Sequence, residues 1–544
     1  MTLNLATLFE AVAAAVADRP AVVCGERRLT YAELDRRASA LGHALLDAGI
    51  APGEHVGLHM LNGVEYVEAM LACLKIRAVP ININFRYTDR ELRHLYTDAD
   101  LVALVIGEEF TPAAARVAAD CPKLRHAWVV RGDEAPQEPA SWPGRLTVTD
   151  FEAAFEGRPE DPPLADERTA DDRFIVYTGG TTGLPKGVVW RHEDFYMAAT
   201  KGGNHYGDPY LSPEALAEGA KNGFPLSYLI TMPLMHGAAS YTLLSALYGG
   251  AVVILLRRFD ALEVLRLVDR EKPMIVAMVG DAMARPLVDA IRAHGADYDL
   301  SSWKVLGSGG AILSRSVQEE FAELLPGIHI NNGFGASESG VDGNITVGDD
   351  GLMRLAPSPH VTVVDADLKP LPPGSEEIGY VARSGHVPLG YYNDPDKTAR
   401  TFPVIDGVRW SILGDMAKVE ADGTIVVLGR GSGCINTGGE KVFPEEVEQA
   451  LKSHPAVMDA LVAGVPDERF GERVAAVVEL RAGAAAPTVE DLRAHCRTQL
   501  AGYKVPALIT FTDAVVRSPS GKADYRWAKR VLTAAAEQTG SSHA

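Results

Sequence analysis

The chain is 544 residues long, 47% hydrophobic and 23% charged, enough apolar chain for a large core and too ordinary a composition for a disordered or fibrous protein. Its 52 basic residues face 72 acidic ones, and a net charge of −20 repels nucleic acid and anionic lipid at long range. Five scattered cysteines without a Cys-x-x-Cys pair exclude a disulfide scaffold and a zinc site, and fit a reducing, cytoplasmic compartment.

The stretch up to Pro20 has no basic leader and carries Glu10 and Asp18, which predicts a helix rather than a signal peptide. No apolar run reaches the roughly 18–20 residues of a bilayer span. Thr30-Tyr31-Ala32-Glu33 is a capping-box pattern, and Leu34, Ala38, Leu41 and Leu45 follow it as one helical stripe. AVVCG, HVGLHM and LVALVIG are strand-like, so strands and helices alternate through the first 110 residues. The rhythm returns near residues 228–280 with YLITMPL, AVVILL and MIVAMVG, each followed by a helical stretch. Apolar strands of this kind suit a parallel sheet covered on both faces. Residues 355–430 change to short β-rich pieces and turns, and the last ~110 residues read as a small α+β unit ending in a polar tail after Ala534. The predicted class is α/β, with a large layered N-terminal domain (1–429) containing a β-rich subdomain. A hinge (430–433) and a small mobile α+β domain (434–544) follow.

Between a strand-like FIVY and VVW lies the loop Thr178-Gly179-Gly180-Thr181-Thr182-Gly183-Leu184-Pro185-Lys186. Glycines let backbone N–H groups approach phosphate oxygens, hydroxyls add donors and Lys186 adds a charge. It is not a Walker A loop, because Pro185 precedes the lysine and Gly187, not Ser or Thr, follows it.

This string, YTGGTTGLPKG, resembles the phosphate-loop signature of the adenylate-forming superfamily, and further motifs of that family follow in order along the chain. NGFGASE (332–338) resembles its aromatic-Gly-x-Thr-Glu motif. That likeness implies that Phe334 and Gly335 lie at the nucleotide, that Ser337 contacts phosphate and that Glu338 holds Mg2+. Gly309, Gly310 and Ala311 resemble the segment lying along adenine. Gly414-Asp415 and Gly429-Arg430 match the residues that reach the ribose. GYYNDPDKTARTF (390–402) resembles a structural motif, and SPSGK (518–522) resembles the lysine motif that supplies Lys522. The family's chemistry implies ATP, Mg2+ and coenzyme A, a small-molecule carboxylic acid as substrate, and Lys186, Glu338 and Lys522 as catalytic groups. Rotation of the small domain would exchange Lys522 for the 431–445 loop, with Ser432, between Gly431 and Gly433, at the hinge.

No carboxylate stands in MPLMHGA (232–238), which disfavours an amino-acid substrate. The pocket residues implied are Met235, His236, Gly280 and Asp281, a small and methionine-rich set suited to a bulky apolar acid. Five longer strings, among them GRGSGCINTGGEKVFPEEVE (429–448), are similar to actinobacterial acyl-CoA synthetases that activate steroid side-chain or long fatty acids. Arg517, Lys522, Arg526, Lys529 and Arg530 form a basic cluster suited to CoA phosphates. The reading is an AMP-forming acyl-CoA synthetase with no nucleic-acid partner and no membrane span, a homodimer being left open. An acyl-AMP ligase loading a carrier protein and a non-catalytic nucleotide-binding protein are the alternatives.

Overall fold

The computed structural model describes residues 2–132, 138–179, 184–205, 207–348, 352–437, 440–467, 471–517 and 522–540. Asn4 caps the first helix, Leu5–Ala15, by accepting from the Ala6 and Thr7 N–H groups. The capping box forms as the sequence indicates: Thr30 Oγ1 accepts from Glu33 N at 3.2 Å, and Thr30 N donates to Glu33 Oε2 at 2.8 Å. Behind it the helix Tyr31–Asp47 buries Leu34, Ala38, Leu41 and Leu45 completely. Such a stripe, not intrinsic propensity, supplies most of a helix's stability in a folded protein.

Among the described residues the strands form two large sheets, a five-stranded sheet and a two-stranded hairpin of Val404–Ile405 with Val408–Arg409. The eight-stranded sheet runs from Gly390–Tyr391 through Lys186–Arg191, Arg173–Thr178, Val79–Asn82 and His55–His59 to Leu101–Gly107, His126–Val130 and Thr147–Asp150. Its last six strands pair in parallel, while Arg173–Thr178 and Lys186–Arg191 form an antiparallel hairpin. The thirteen-stranded sheet has a parallel half containing Val252–Leu255, Ser227–Ile230, Ile275–Met278, Val305–Gly309 and His329–Ala336. At Gly333 it turns antiparallel and continues into the β-rich region that includes Ser411–Val419 and Ile425–Arg430. Ligand crevices in α/β sheets form beyond the carboxyl ends of parallel strands, and Gly309 and Phe334 stand at two such ends.

After Arg430 a short turn, Gly431–Gly433, leads to a small sheet of Ile435–Thr437, Glu440–Val442, Val457–Asp467, Gly471–Leu480 and Leu508–Thr512. Helices Pro444–Lys452 and Val489–Arg497 pack with it around a separate core built on Val447, Leu451, Val462, Val478 and Leu492. The C-terminal segment departs from expectation: the helix Tyr525–Gly540 runs six residues past Ala534. Ala528 and Leu532 anchor it against Leu461, Val465 and Val477, so one apolar edge suffices to keep a polar sequence helical.

Candidate active site

The hairpin sets the first cation. Thr178 pairs directly with Lys186, so the loop between them begins and ends at one place. Thr178 and Gly179 are described; Gly180, Thr181, Thr182 and Gly183 lie outside the described residues. Lys186 Nζ donates to Asp394 Oδ2 in a short ion pair. That contact holds the Asp394 carboxyl below its ordinary pKa. Asp394 also caps the helix Pro395–Thr401, its Oδ1 accepting from Lys397 N at 3.0 Å.

Glu338 is held through both its side chain and its main chain. Tyr391 Oη donates to Glu338 Oε1 at 2.9 Å, and Ser411 Oγ donates to the Glu338 carbonyl at 2.8 Å. The Ser337 carbonyl accepts from Trp190 Nε1 at 3.0 Å and from Tyr241 Oη at 3.2 Å. These bonds tie the turn after Ala336 to the Lys186–Arg191 strand and the helix Gly237–Tyr248. Phe334, Gly335, Asp415 and Arg430 line one cavity, with Asp342 and Arg383 at its wall. Arg430 Nε donates to Asp415 Oδ1 at 3.2 Å across the antiparallel pair that sets the two residues opposite each other.

Lys522, 92 residues beyond Arg430 in sequence, arrives at the same place. Crowding by the cleft walls desolvates its ammonium and lowers its pKa; Glu338 and Asp415 pull the other way, and Arg430 adds to the lowering. By surface area the residue is exposed. Residues scattered from 186 to 522 thus converge into one band of alternating charge. Such a band is suited to a polyanion with sugar hydroxyls at one end.

Comparison with known proteins decides the family. Residues 9–392 match the family described as AMP-binding enzyme, and residues 446–522 match the AMP-binding enzyme C-terminal domain. The chain belongs to the AMP-binding enzyme family. It is 44% identical over 542 residues to a 3-oxocholest-4-en-26-oate–CoA ligase of Rhodococcus rhodochrous, covering 97% of this chain and 96% of the relative. It is also 44% identical over 534 residues to a medium/long-chain-fatty-acid–CoA/3-oxocholest-4-en-26-oate–CoA ligase of Mycobacterium tuberculosis (strain ATCC 25618 / H37Rv), with 97% and 96% covered. Among solved structures, the anthranilate CoA ligase AuaEII in complex with anthranoyl-AMP aligns with a TM-score of 0.83 at 26% identity, covering 98% of each chain.

Within this AMP-binding fold the residues expected at the acid pocket divide. Met235 is buried, and its carbonyl accepts from Asn82 Nδ2; His236 is half-buried and immediately precedes the helix Gly237–Tyr248. Gly309, Gly310 and Ala311 lie together at the end of the Val305–Gly309 strand. Gly280 has φ +45°, and a Cβ there would meet the Ile312 carbonyl oxygen at 2.5 Å, so only glycine allows this approach. Asp281 is engaged elsewhere than at an acid. Its Oδ1 accepts from Ser314 N at 2.7 Å, and its Oδ2 lies 3.3 Å from Lys452 Nζ and 3.7 Å from Arg285 Nε. Burial disfavours that charge, but Lys452 and then Arg285 outweigh burial and hold the carboxyl below its usual range. Lys452 belongs to the C-terminal unit, so this buried pair ties it to the large one. Arg481 adds a second tie through Glu320 at 2.8 Å.

The basic cluster also divides. Arg517 forms a bidentate pair with Asp459 at 2.6 and 2.7 Å, whereas Arg526, Lys529 and Arg530 are exposed along the last helix. At the hinge, the side chain of Ser432 lies outside the described residues, as do Ser518 to Gly521 before Lys522. The left-handed backbone that only glycine adopts easily falls at Gly429, with φ +133°, rather than at Gly431 or Gly433. A Cβ at Gly429 would lie 2.3 Å from Glu445 Oε2. Glu445 is thereby packed onto Gly429, and its Oε2 is buried without a hydrogen bond among the described residues. Tyr391, Asp394, Lys397 and Glu445 were not singled out from sequence. The first three sit in a motif read there as structural, and the charges of its Asn-Asp-Pro-Asp-Lys string were the available signal.

Proposed function

We propose that the protein is an ATP-dependent, AMP-forming acyl-CoA synthetase that joins an apolar carboxylic acid to coenzyme A. The observation that carries this is the meeting of Lys522 with Glu338, Asp415 and Arg430 at one cleft in a chain of the AMP-binding family. In the first step a carboxylate oxygen bonds to the α-phosphorus of ATP, the bond to the bridging oxygen breaks, and pyrophosphate leaves with the electron pair. Both reactants are anions, so fixed positive charge does most where water is scarce. Lys522 would hold the acid carboxylate and the α-phosphate together, and Lys186 would leave Asp394 for the outer phosphates. Asp415, an acceptor, suits two ribose hydroxyls, with Arg430 holding it in place. In the second step the CoA thiol loses its proton and its sulfur bonds to the acyl carbon, the bond from that carbon to the AMP oxygen breaks, and AMP departs with the electron pair.

Among the described residues no group of three acidic, histidine or cysteine side chains could hold a metal by itself. Mg2+ takes few protein ligands and completes its shell with phosphate oxygens and water, so the single carboxylate of Glu338 beside a polyphosphate fits it. When bound, it would neutralise charge on the outer phosphates. Arg526, Lys529 and Arg530 would meet the CoA phosphates, while Arg517 is committed to Asp459.

For the acid, a steroid side-chain or long fatty carboxylate is the reading favoured by the names of the two relatives at 44% identity. Small residues at 309–311 and the half-buried Met283 leave adaptable apolar walls. Among the described residues no helix is long and apolar enough to cross a membrane, and no disulfide joins the five cysteines. A cytoplasmic location fits both. The test is a substrate panel. Steroid side-chain acids and C12–C18 fatty acids should each yield AMP and acyl-CoA in equal amounts with CoA supplied. Turnover of short or amino acids in preference to these would overturn the assignment of the acid.

A further inference from the structure

Lys397 stands in the helix Pro395–Thr401, on the side of the cleft that Lys186 and Glu338 share. Its ammonium lies 4.3 Å from the centroid of the Tyr391 ring, and the hydroxyl of that ring donates to Glu338 Oε1 at 2.9 Å. Among the described residues no carboxylate comes within ion-pair distance of Lys397 Nζ. Of the two acids preceding it in its own motif, Asp396 is exposed, and Asp394 has its Oδ2 taken by Lys186 and its Oδ1 by the backbone N–H of Lys397. The side chain is half-buried. Desolvation lowers its pKa, and Lys186 lowers it further as a like charge, against the opposite pull of Glu338 and Asp394. A ring face steadies a cation but does not neutralise it. Two ammonium groups placed near each other in partly dry surroundings cost free energy unless an anion comes between them.

We propose that Lys397, held over the Tyr391 ring, binds the β- and γ-phosphates of ATP and then the pyrophosphate that leaves. The proposal rests on the adenylation reading and adds a third lysine to Lys186 and Lys522. As the bond between the α-phosphorus and the bridging oxygen breaks, negative charge gathers on the pyrophosphate. An ammonium already in place beside it lowers the energy of that state. Tyr391 couples the two partners of the outer phosphates, since one end of the ring carries the cation and the other orients the Glu338 carboxylate.

The experiment is calorimetric titration of the full chain with Mg·ATP, Mg·pyrophosphate and AMP. Lys397→Met keeps an aliphatic stem on the Tyr391 ring and removes the charge. Loss of a charge-assisted contact should weaken Mg·ATP and Mg·pyrophosphate binding about tenfold and leave AMP binding unchanged. Lys397→Arg should restore most of the affinity. Unchanged affinities in Lys397→Met, or an equal loss for all three ligands, would overturn the proposal. If the unmodified protein bound neither Mg·ATP nor AMP, the adenylation reading itself would fall, a result distinct from any difference between variants.

Discussion

At the scale of single residues the site depends on charges whose value is set by where they stand. Lys522 reaches the cleft from the small C-terminal unit, and under the proposed function its role belongs to one half-reaction. Lys522→Ala should cut acyl-AMP formation by about 10²–10³-fold, the usual loss for one preorganised donor, and leave thioester formation from supplied acyl-AMP near the parent rate. Rapid-quench assays of each half-reaction check this; equal losses in both would contradict it. Glu445 is the opposite case, a carboxyl whose charge is unwelcome. Burial and then the neighbouring Glu448 push its pKa up to about 8, against an ordinary 4.5. The docked arrangement therefore holds a proton that a hydrated glutamate releases. Its stability is fullest below about pH 4.5, declines as pH rises toward 8 and levels off above that. Glu445→Gln, neutral at every pH, should raise the thermal midpoint at pH 7–9 and flatten its pH dependence. Parallel midpoint curves for the two proteins would contradict the placement of a protonated Glu445 at the hinge.

At the scale of elements, two joints carry the site. The hairpin Arg173–Thr178 and Lys186–Arg191 delivers Lys186. The helices Gly280–His294 and Pro444–Lys452 deliver the two sides of the buried Asp281–Lys452 pair. Both side chains of that pair are 2% exposed, and Arg285 is equally buried beside them. Removing one partner of such a group strands the others. Asp281→Asn should therefore cost about 3–5 kcal/mol in denaturant unfolding, far above the ~1 kcal/mol of a surface pair. Adenylation should suffer more than thioester formation, because the pair spans the docked arrangement. The hairpin and the caps were legible from sequence because local rules fix them: Thr30 and Glu33 lie three apart, and a Gly/Thr run between two apolar strands must turn. The Asp281–Lys452 pair was not legible, since its partners are 171 residues apart and Asp281 reads equally well as a pocket wall. Glu445 was hidden for a similar reason, as nothing local marks a carboxylate that will pack on Gly429. The polar end of the last helix was not legible because few apolar residues mark it: Ala528 and Leu532 are buried, and Ala536, beyond Ala534, packs beside them.

At the scale of the whole molecule, two units with separate cores meet across one cleft, and under the proposed function the chemistry belongs to neither alone. The motifs marked Phe334, Gly335, Asp415 and Arg430 far apart in sequence, and the fold brings these four to one cavity. They said little about the acid, whose walls are apolar and interchangeable with core. Under the proposed function, an exchange of Lys522 for another face of the small domain would require the Asp281–Lys452 and Arg481–Glu320 ties to break together. The most direct measurement is a single-turnover reaction of the full chain with α-labelled ATP, Mg2+ and a steroid side-chain or long fatty acid, quenched before and after CoA is added. Label should first accumulate as enzyme-bound acyl-AMP, and CoA should then convert it to one AMP for each acyl-CoA formed. Release of labelled AMP without acid, or acyl-CoA formation with no preceding acyl-AMP, would contradict a single cleft that serves both steps in turn.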